Sequence, residues 1–242
     1  MNILIDDISI NYAVSGQGTP LLFLHGWGLN CHEFDKVANQ INEDFKVYQI
    51  DLPGFGETKL NKDLTVSEYA DIINKFCLRL AIINPIVIGH SFGGRVAISY
   101  ASRYDISKLV LVCTPGVPQR FSLSKYIKIK IYKLLKKMNI SLKMGSADYK
   151  NSSDILRKVL VKALNTDLTE DIKSIKCETL LIYGKNDKAV PLYIGHKINN
   201  LIKKSEIVEV NACGHFPYRE KFRFFLIILK YFIYGSDVWF FI

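Results

Sequence analysis

The chain has 242 residues, 49% of them hydrophobic, and carries 32 Lys and Arg against 23 Asp and Glu, a net charge of +9. This suits one domain with a large core and room for an insertion. The longest apolar stretch, 222–234, is interrupted by Arg223 and Lys230 and is too short for a membrane span, and five cysteines without a Cys-x-x-Cys pair argue against a disulfide framework or a zinc site.

In chain order, Ile3–Ile10 and Asn11–Val14 read as a hairpin pair, after a start that turns acidic too early for a secretory signal. Reduced thiols and a cytoplasmic location are the expectation. Leu21–Leu24 is a short apolar strand ending at His25-Gly26-Trp27-Gly28, and Phe45–Ile50 is another ending at Asp51. A helix is predicted over Val66–Leu80, a strand over Ile86–Ile88, a helix from Arg95, and a strand over Leu109–Val112. Strands follow at Thr179–Tyr183 and Glu206–Val210, with a helix at Tyr193–Ile202 between them and a C-terminal helix at 222–234. Short buried strands alternating with helices imply an α/β architecture, a largely parallel sheet covered on both faces. The apolar end at 237–242 has no functional reading.

One segment breaks the alternation. Positions 116–166 hold no convincing strand leading to the next, and fifty residues are too many for a crossover loop. Helical patterning fits 123–138 and 153–164, although 126–132 alternates like a strand. This segment reads as a helical cap (116–166) inserted into a core of 1–115 and 167–242. It holds 12 Lys and Arg against 2 Asp, so the rest of the chain is nearly neutral. Two readings of the cap stay open: a solvated basic face, or attraction of an anionic substrate or a weak contact with an anionic membrane surface. No motif points to nucleic acid.

The most informative motif is Gly89-His90-Ser91-Phe92-Gly93-Gly94, between a strand and a helix. A serine on a sharp strand-to-helix turn is lifted clear of the sheet, and glycines at −2 and +2 are needed where side chains would collide with backbone. A serine hydroxyl needs a base and an orienting acid. Among five histidines, His215, in a loop just past the last strand, is the best base, because a parallel sheet gathers catalytic groups at its strands' carboxyl ends. His90 is expected to point away from the site, and His32 and His196 to pack or face solvent. Asp187, in the loop after Thr179–Tyr183, opens on the same edge and is the acid. Asp51 reads instead as a turn-capping residue, and a role for Cys213 is not favoured. The backbone amides of Trp27 and Phe92 are the candidate oxyanion donors.

With these motifs in place, together with Asp51-Leu52-Pro53-Gly54-Phe55-Gly56, the sequence resembles the α/β-hydrolase-fold superfamily, the lipase- and esterase-like serine hydrolases, over Ile3 to about Tyr234. The resemblance implies an eight-stranded sheet with a helical lid after the sixth strand. It implies a serine hydrolase acting on a small or medium ester or thioester through a Ser91–His215–Asp187 triad and an acyl-enzyme, with no cofactor or metal. Carbon–carbon bond hydrolases and cofactor-free perhydrolases of this fold use the same triad, and some members are slow-turnover ligand receptors. These alternatives remain open at this level, as does the oligomeric state.

Overall fold

The structure, a computed structural model, describes residues 1–118 and 152–235. The predicted helix at 123–138, the strand-like alternation at 126–132 and the apolar end at 237–242 lie outside them. Eight strands form one sheet in the order β1-β2-β4-β3-β5-β6-β7-β8. They are β1 (Asn2–Ile5), β2 (Ile8–Ser15), β3 (Thr19–Leu24), β4 (Phe45–Ile50), β5 (Ile86–His90), β6 (Lys108–Val112), β7 (Glu178–Gly184) and β8 (Ser205–Val210). β2 is antiparallel to both of its neighbours, and the pairings from β4 through β8 are parallel.

The first hairpin corrects the sequence reading. Its turn falls at Asp6-Asp7, with Ile5 paired to Ile8, rather than after Ile10. The isoleucines fall at 3 and 5 and again at 8 and 10, so the alternation slips by one residue at Asp6-Asp7, the one local mark of the turn. Asp6 sits at φ 51°, a left-handed conformation that Asp tolerates better than most residues.

The central strands are buried on both sides, which is why they read as unbroken apolar runs. Leu22, Leu24, Val87, Leu109, Leu111 and Leu181 point into one core, and Leu21, Phe23, Ile88, Val110, Val112 and Ile182 into the other. The first core is closed by α2 (Val66–Arg79), α3 (Phe92–Ala101) and α6 (Leu192–Leu201). The second is closed by a 3-10 turn at Cys31–Phe34, α1 (Asp35–Ala38) and α8 (Phe222–Tyr234). A short α7 (Pro217–Glu220) precedes α8. α2 starts at a capping box in which Thr65 Oγ1 accepts the Glu68 amide and Glu68 accepts the Thr65 amide. Its buried residues Val66, Tyr69, Ala70, Ile73, Phe76 and Cys77 recur at the helical spacing.

Between β6 and β7 the described residues include α4 (Asp154–Asn165) and α5 (Thr169–Ser174). The chain leaves the core at Gly116 and returns beside it, where the Leu168 amide donates to Gly116 O at 2.9 Å. α4 lies over the loop that follows β4: Lys162 Nζ meets Asp63 Oδ2 at 2.6 Å, and Leu156 packs where a side chain on Gly54 would stand. The buried Arg95 of α3 donates to Thr166 O at the end of this segment. None of the described helices is long and apolar enough to cross a membrane.

Candidate active site

Ser91 stands between β5 and α3 at φ 51° and ψ −109°, a left-handed strain that a β-carbon resists. The turn is held by the Ser91 amide donating to Val112 O at 3.0 Å and the Arg95 amide donating to Ser91 O at 3.2 Å. The flanking glycines are required by close approach. A β-carbon on Gly89 would lie 2.6 Å from Gly94 Cα, and one on Gly93 would lie 2.2 Å from Leu24 O.

His215 and Asp187 are brought together. His215 Nδ1 and Asp187 Oδ2 are 2.6 Å apart, the Asp187 side chain is fully buried, and the His215 side chain is 19% exposed. Asp187 Oδ1 also accepts the amides of Ala189 (2.7 Å) and Val190 (2.9 Å). Burial pushes the Asp187 carboxyl up, but the His215 bond and these two amides outweigh it and hold it below the usual carboxylate value. The two loops are laced to each other: the Asn186 amide donates to Cys213 O at 2.8 Å, and a β-carbon on Gly184 would meet Gly214 O at 2.0 Å. Glu220 of α7 clamps the His215 loop by accepting the amides of Gly214 (2.7 Å) and Phe216 (3.0 Å). Among the described residues, Ser91 forms no hydrogen bond to His215.

The turn that carries Trp27 is closed by the Leu29 amide on Gly26 O (3.3 Å), with Gly28 at φ +74° in the position where such a turn demands glycine. The Trp27 amide is not consumed by that closure, and Phe92, first residue of α3, has no preceding helical carbonyl to bond. The Trp27 ring packs edge-on against Phe55 (4.9 Å) and Phe92 (5.2 Å). His25 is buried. Its Nδ1 lies 2.7 Å from Gly26 O and its Nε2 accepts the Leu52 amide at 3.0 Å, pinning the Trp27 turn to the loop after β4.

Asp51 is the organiser of that loop, accepting from Asn11 Nδ2 (2.8 Å), the Cys31 amide (2.6 Å) and the Glu57 amide (2.8 Å). His32 is exposed beside Asp35, and His196 pairs with Glu209. Cys213 is buried with its sulfur 3.8 Å from Gly214 O. The Cys113 sulfur lies with the ligand atoms of Asp187 and His215 inside a 4.8 Å cluster, the one grouping among the described residues with metal-donor chemistry. Its chemistry suits a cation poorly: burial pushes the Cys113 thiol well up, away from the thiolate a metal needs, and Asp187 and His215 already bond each other.

His90 departs from the sequence reading. Its ring is buried, 4.8 Å from the His215 ring centre, and its Nε2 is 2.9 Å from His215 O. Successive strand residues do point to opposite faces, but the His215 loop folds back across the end of β5, so the outward direction at 90 meets that loop. Glu220 carries no sequence signal of this role; a carboxylate five residues past a candidate histidine reaches its loop only because α7 turns it back.

A family model described as alpha/beta hydrolase fold matches residues 19–128, and one described as the C-terminal part of BAAT and acyl-CoA thioester hydrolases matches residues 84–223. The chain belongs to the alpha/beta hydrolase superfamily. A pimeloyl-[acyl-carrier protein] methyl ester esterase of Wigglesworthia glossinidia brevipalpis is 28% identical, with 92% of this chain and 96% of the relative covered. A 2-hydroxy-6-oxo-2,4-heptadienoate hydrolase of Pseudomonas putida is 24% identical, covering 97% and 96%. The solved meta-cleavage product hydrolase of Pseudomonas fluorescens shares the fold at a TM-score of 0.77, with 22% identity and 98% of each chain covered.

Proposed function

We propose that this chain is a serine hydrolase that cleaves a small or medium ester or thioester. His215 takes the proton of Ser91 as Ser91 Oγ attacks the carbonyl carbon. The amides of Trp27 and Phe92 receive the oxyanion, and the alcohol or thiol leaves with that proton. Water, activated in turn by His215, then releases the acid from the acyl-enzyme. Asp187 fixes the His215 ring with its proton on Nδ1, so that Nε2 is the basic nitrogen. The observation that carries this reading is the 2.6 Å Asp187–His215 bond at the same sheet rim as the strained Ser91 turn. The serine-to-histidine contact of such triads commonly tightens only when substrate binds. The segment between β6 and β7 serves as the cap, which its contacts with the loop after β4 and with α3 support.

Relatives named as an acyl-carrier-protein methyl ester esterase and as a matched thioester-hydrolase model favour an acyl ester or thioester. A carbon–carbon bond hydrolase is the second reading, favoured by the Pseudomonas putida relative. A fluorophosphonate probe should label Ser91 alone, and p-nitrophenyl butyrate turnover should fall by at least about 10³-fold in Ser91→Ala. Steady turnover that survives Ser91→Ala overturns the reading. A single burst without turnover points to a receptor, and cleavage of a vinylogous 1,5-diketone in preference to every ester points to the carbon–carbon hydrolase.

A further inference from the structure

His90 touches both sides of the Ser91 turn. Its Nε2 is 2.9 Å from His215 O. A carbonyl oxygen only accepts, so Nε2 carries the hydrogen. In the neutral ring Nδ1 is then an acceptor, and the Tyr218 hydroxyl stands 3.2 Å from it. Burial, with the Glu33 carboxylate also within hydrogen-bonding reach, pushes the Tyr218 phenol up, so the hydroxyl keeps its proton between these two acceptors. The same ring is wedged against the Trp27 turn: a β-carbon on Gly26 would lie 2.6 Å from His90 Nδ1 and 3.0 Å from Cε1. The glycine at 26 is therefore needed because of the histidine at 90.

We propose that His90, as its neutral Nε2–H tautomer, is a positioning residue that spaces the His215 loop and the Trp27 turn on either side of Ser91. It never touches substrate. It sets where His215 Nε2 and the Trp27 amide stand relative to the nucleophile. This rests on the serine-hydrolase reading above. The charged and titratable groups around the ring are His215, Asp187, Arg219 and Tyr218; burial, reinforced by His215 and Arg219, holds the His90 imidazole down to about 3 against the bond to His215 O and the Asp187 carboxylate. The tautomer therefore persists across the whole working pH range.

The test uses three variants of the full chain. His90→Phe keeps a ring against Gly26 and loses both hydrogen bonds. His90→Asn keeps a polar group near Nδ1 and loses the donor to His215 O. His90→Gln places an amide N–H near the Nε2 position. With p-nitrophenyl butyrate, His90→Phe and His90→Asn should lower kcat about 10- to 100-fold with KM changed by less than about threefold, and His90→Gln should recover most of the loss. Proton NMR of histidine-labelled protein gives a readout without turnover: the His215 Nδ1–H signal should move or broaden in His90→Phe and return in His90→Gln. Should His90→Phe fail to fold, Tyr218→Phe removes the Nδ1 partner, together with that hydroxyl's contact with Glu33, and should show the same kcat effect at smaller size. Wild-type kcat in His90→Phe or Tyr218→Phe with an unmoved His215 signal overturns the proposal, as does a His90→Gln no better than His90→Asn. If Ser91→Ala keeps its turnover while the His215 signal still responds to position 90, the hydrolase reading fails and the positioning role stands.

Discussion

The elbow makes a quantitative claim at Gly94. A methyl group there would lie 1.9 Å from Thr114 Oγ1, 2.6 Å from its Cγ2 and 2.8 Å from its Cβ. Thr114 has no exposed surface, and its hydroxyl donates to Val112 O at 3.2 Å, so the side chain has nowhere to turn. Restoring ordinary contact needs α3 and Thr114 to separate by about 1.5 Å, an overpacking cost of about 1–3 kcal/mol. Alanine's better helix propensity returns up to about 1 kcal/mol of that. Gly94→Ala should therefore lose about 2 kcal/mol in urea denaturation. Moving α3 moves Ser91 and the Phe92 amide with it, so kcat should fall on the order of 10²-fold. Thr114→Ala removes the two closest atoms and should cost about 1–2 kcal/mol alone through its lost hydroxyl bond and methyl. In the double variant the two effects should be coupled by at least about 1 kcal/mol in the stabilising direction. A Gly94→Ala protein of wild-type stability and activity, or losses that add to within about 0.5 kcal/mol, would refute the close-packing argument.

Two further outcomes follow from the acid–base pair and the buried imidazoles. In Asp187→Asn the new carboxamide oxygen should satisfy the Ala189 and Val190 amides and turn its NH2 toward His215 Nδ1, forcing the hydrogen onto Nε2; kcat should fall about 10³- to 10⁴-fold with the Tm little changed, and a loss below about tenfold would contradict the assigned role. Burial holds His90 down to about 3, whereas in the unfolded chain it titrates near its ordinary 6.5. The unfolded state thus binds the extra proton between those values, so stability should fall as pH drops through 6.5 toward 3, on the order of 5 kcal/mol in all, with buried His25 adding in the same direction. Thermal melts from pH 7 to pH 4.5 should show this slope and His90→Gln should flatten it; a Tm constant over that range would show that His90 is not held neutral.

Much of the fold is legible because the strands that bear the site are buried on both faces. Phe45–Ile50 and the helix at 222–234 match the sequence reading to the residue, since Asp44 and Asp51 bracket the first and Lys221 and Gly235 the second. The hairpin turn at Asp6-Asp7 is harder to read, because its one mark is a single-residue slip in the isoleucine spacing between two short strands. That Asp187 and His215 meet is legible from the sequence: each lies in the loop after a strand of a parallel pair, so both loops open at one rim. His90 and Glu220 were not legible by the same logic. Each acts through a loop that folds back, and neither alternation nor helical period carries the path of a loop.

The glycines at 26, 89, 93 and 94 have one cause. Each is a point where the chain meets another backbone (89, 93) or a buried side chain (His90 at 26, Thr114 at 94) more closely than a β-carbon permits. A non-glycine residue at φ 51° costs about 1–3 kcal/mol and persists only where its surroundings over-determine it. Here the surroundings are Val112 O on the Ser91 amide, Leu24 and His25 carbonyls against Gly93, and the Gly89 backbone against Gly94. A Gly-x-Ser-x-Gly turn without these contacts would relax to an unstrained loop and lower its hydroxyl toward the sheet. Intolerance to substitution should therefore split by readout: at Ser91 it falls on turnover with stability kept, since backbone hydrogen bonds hold the turn and the half-buried side chain does not, whereas at the glycines it falls on both together.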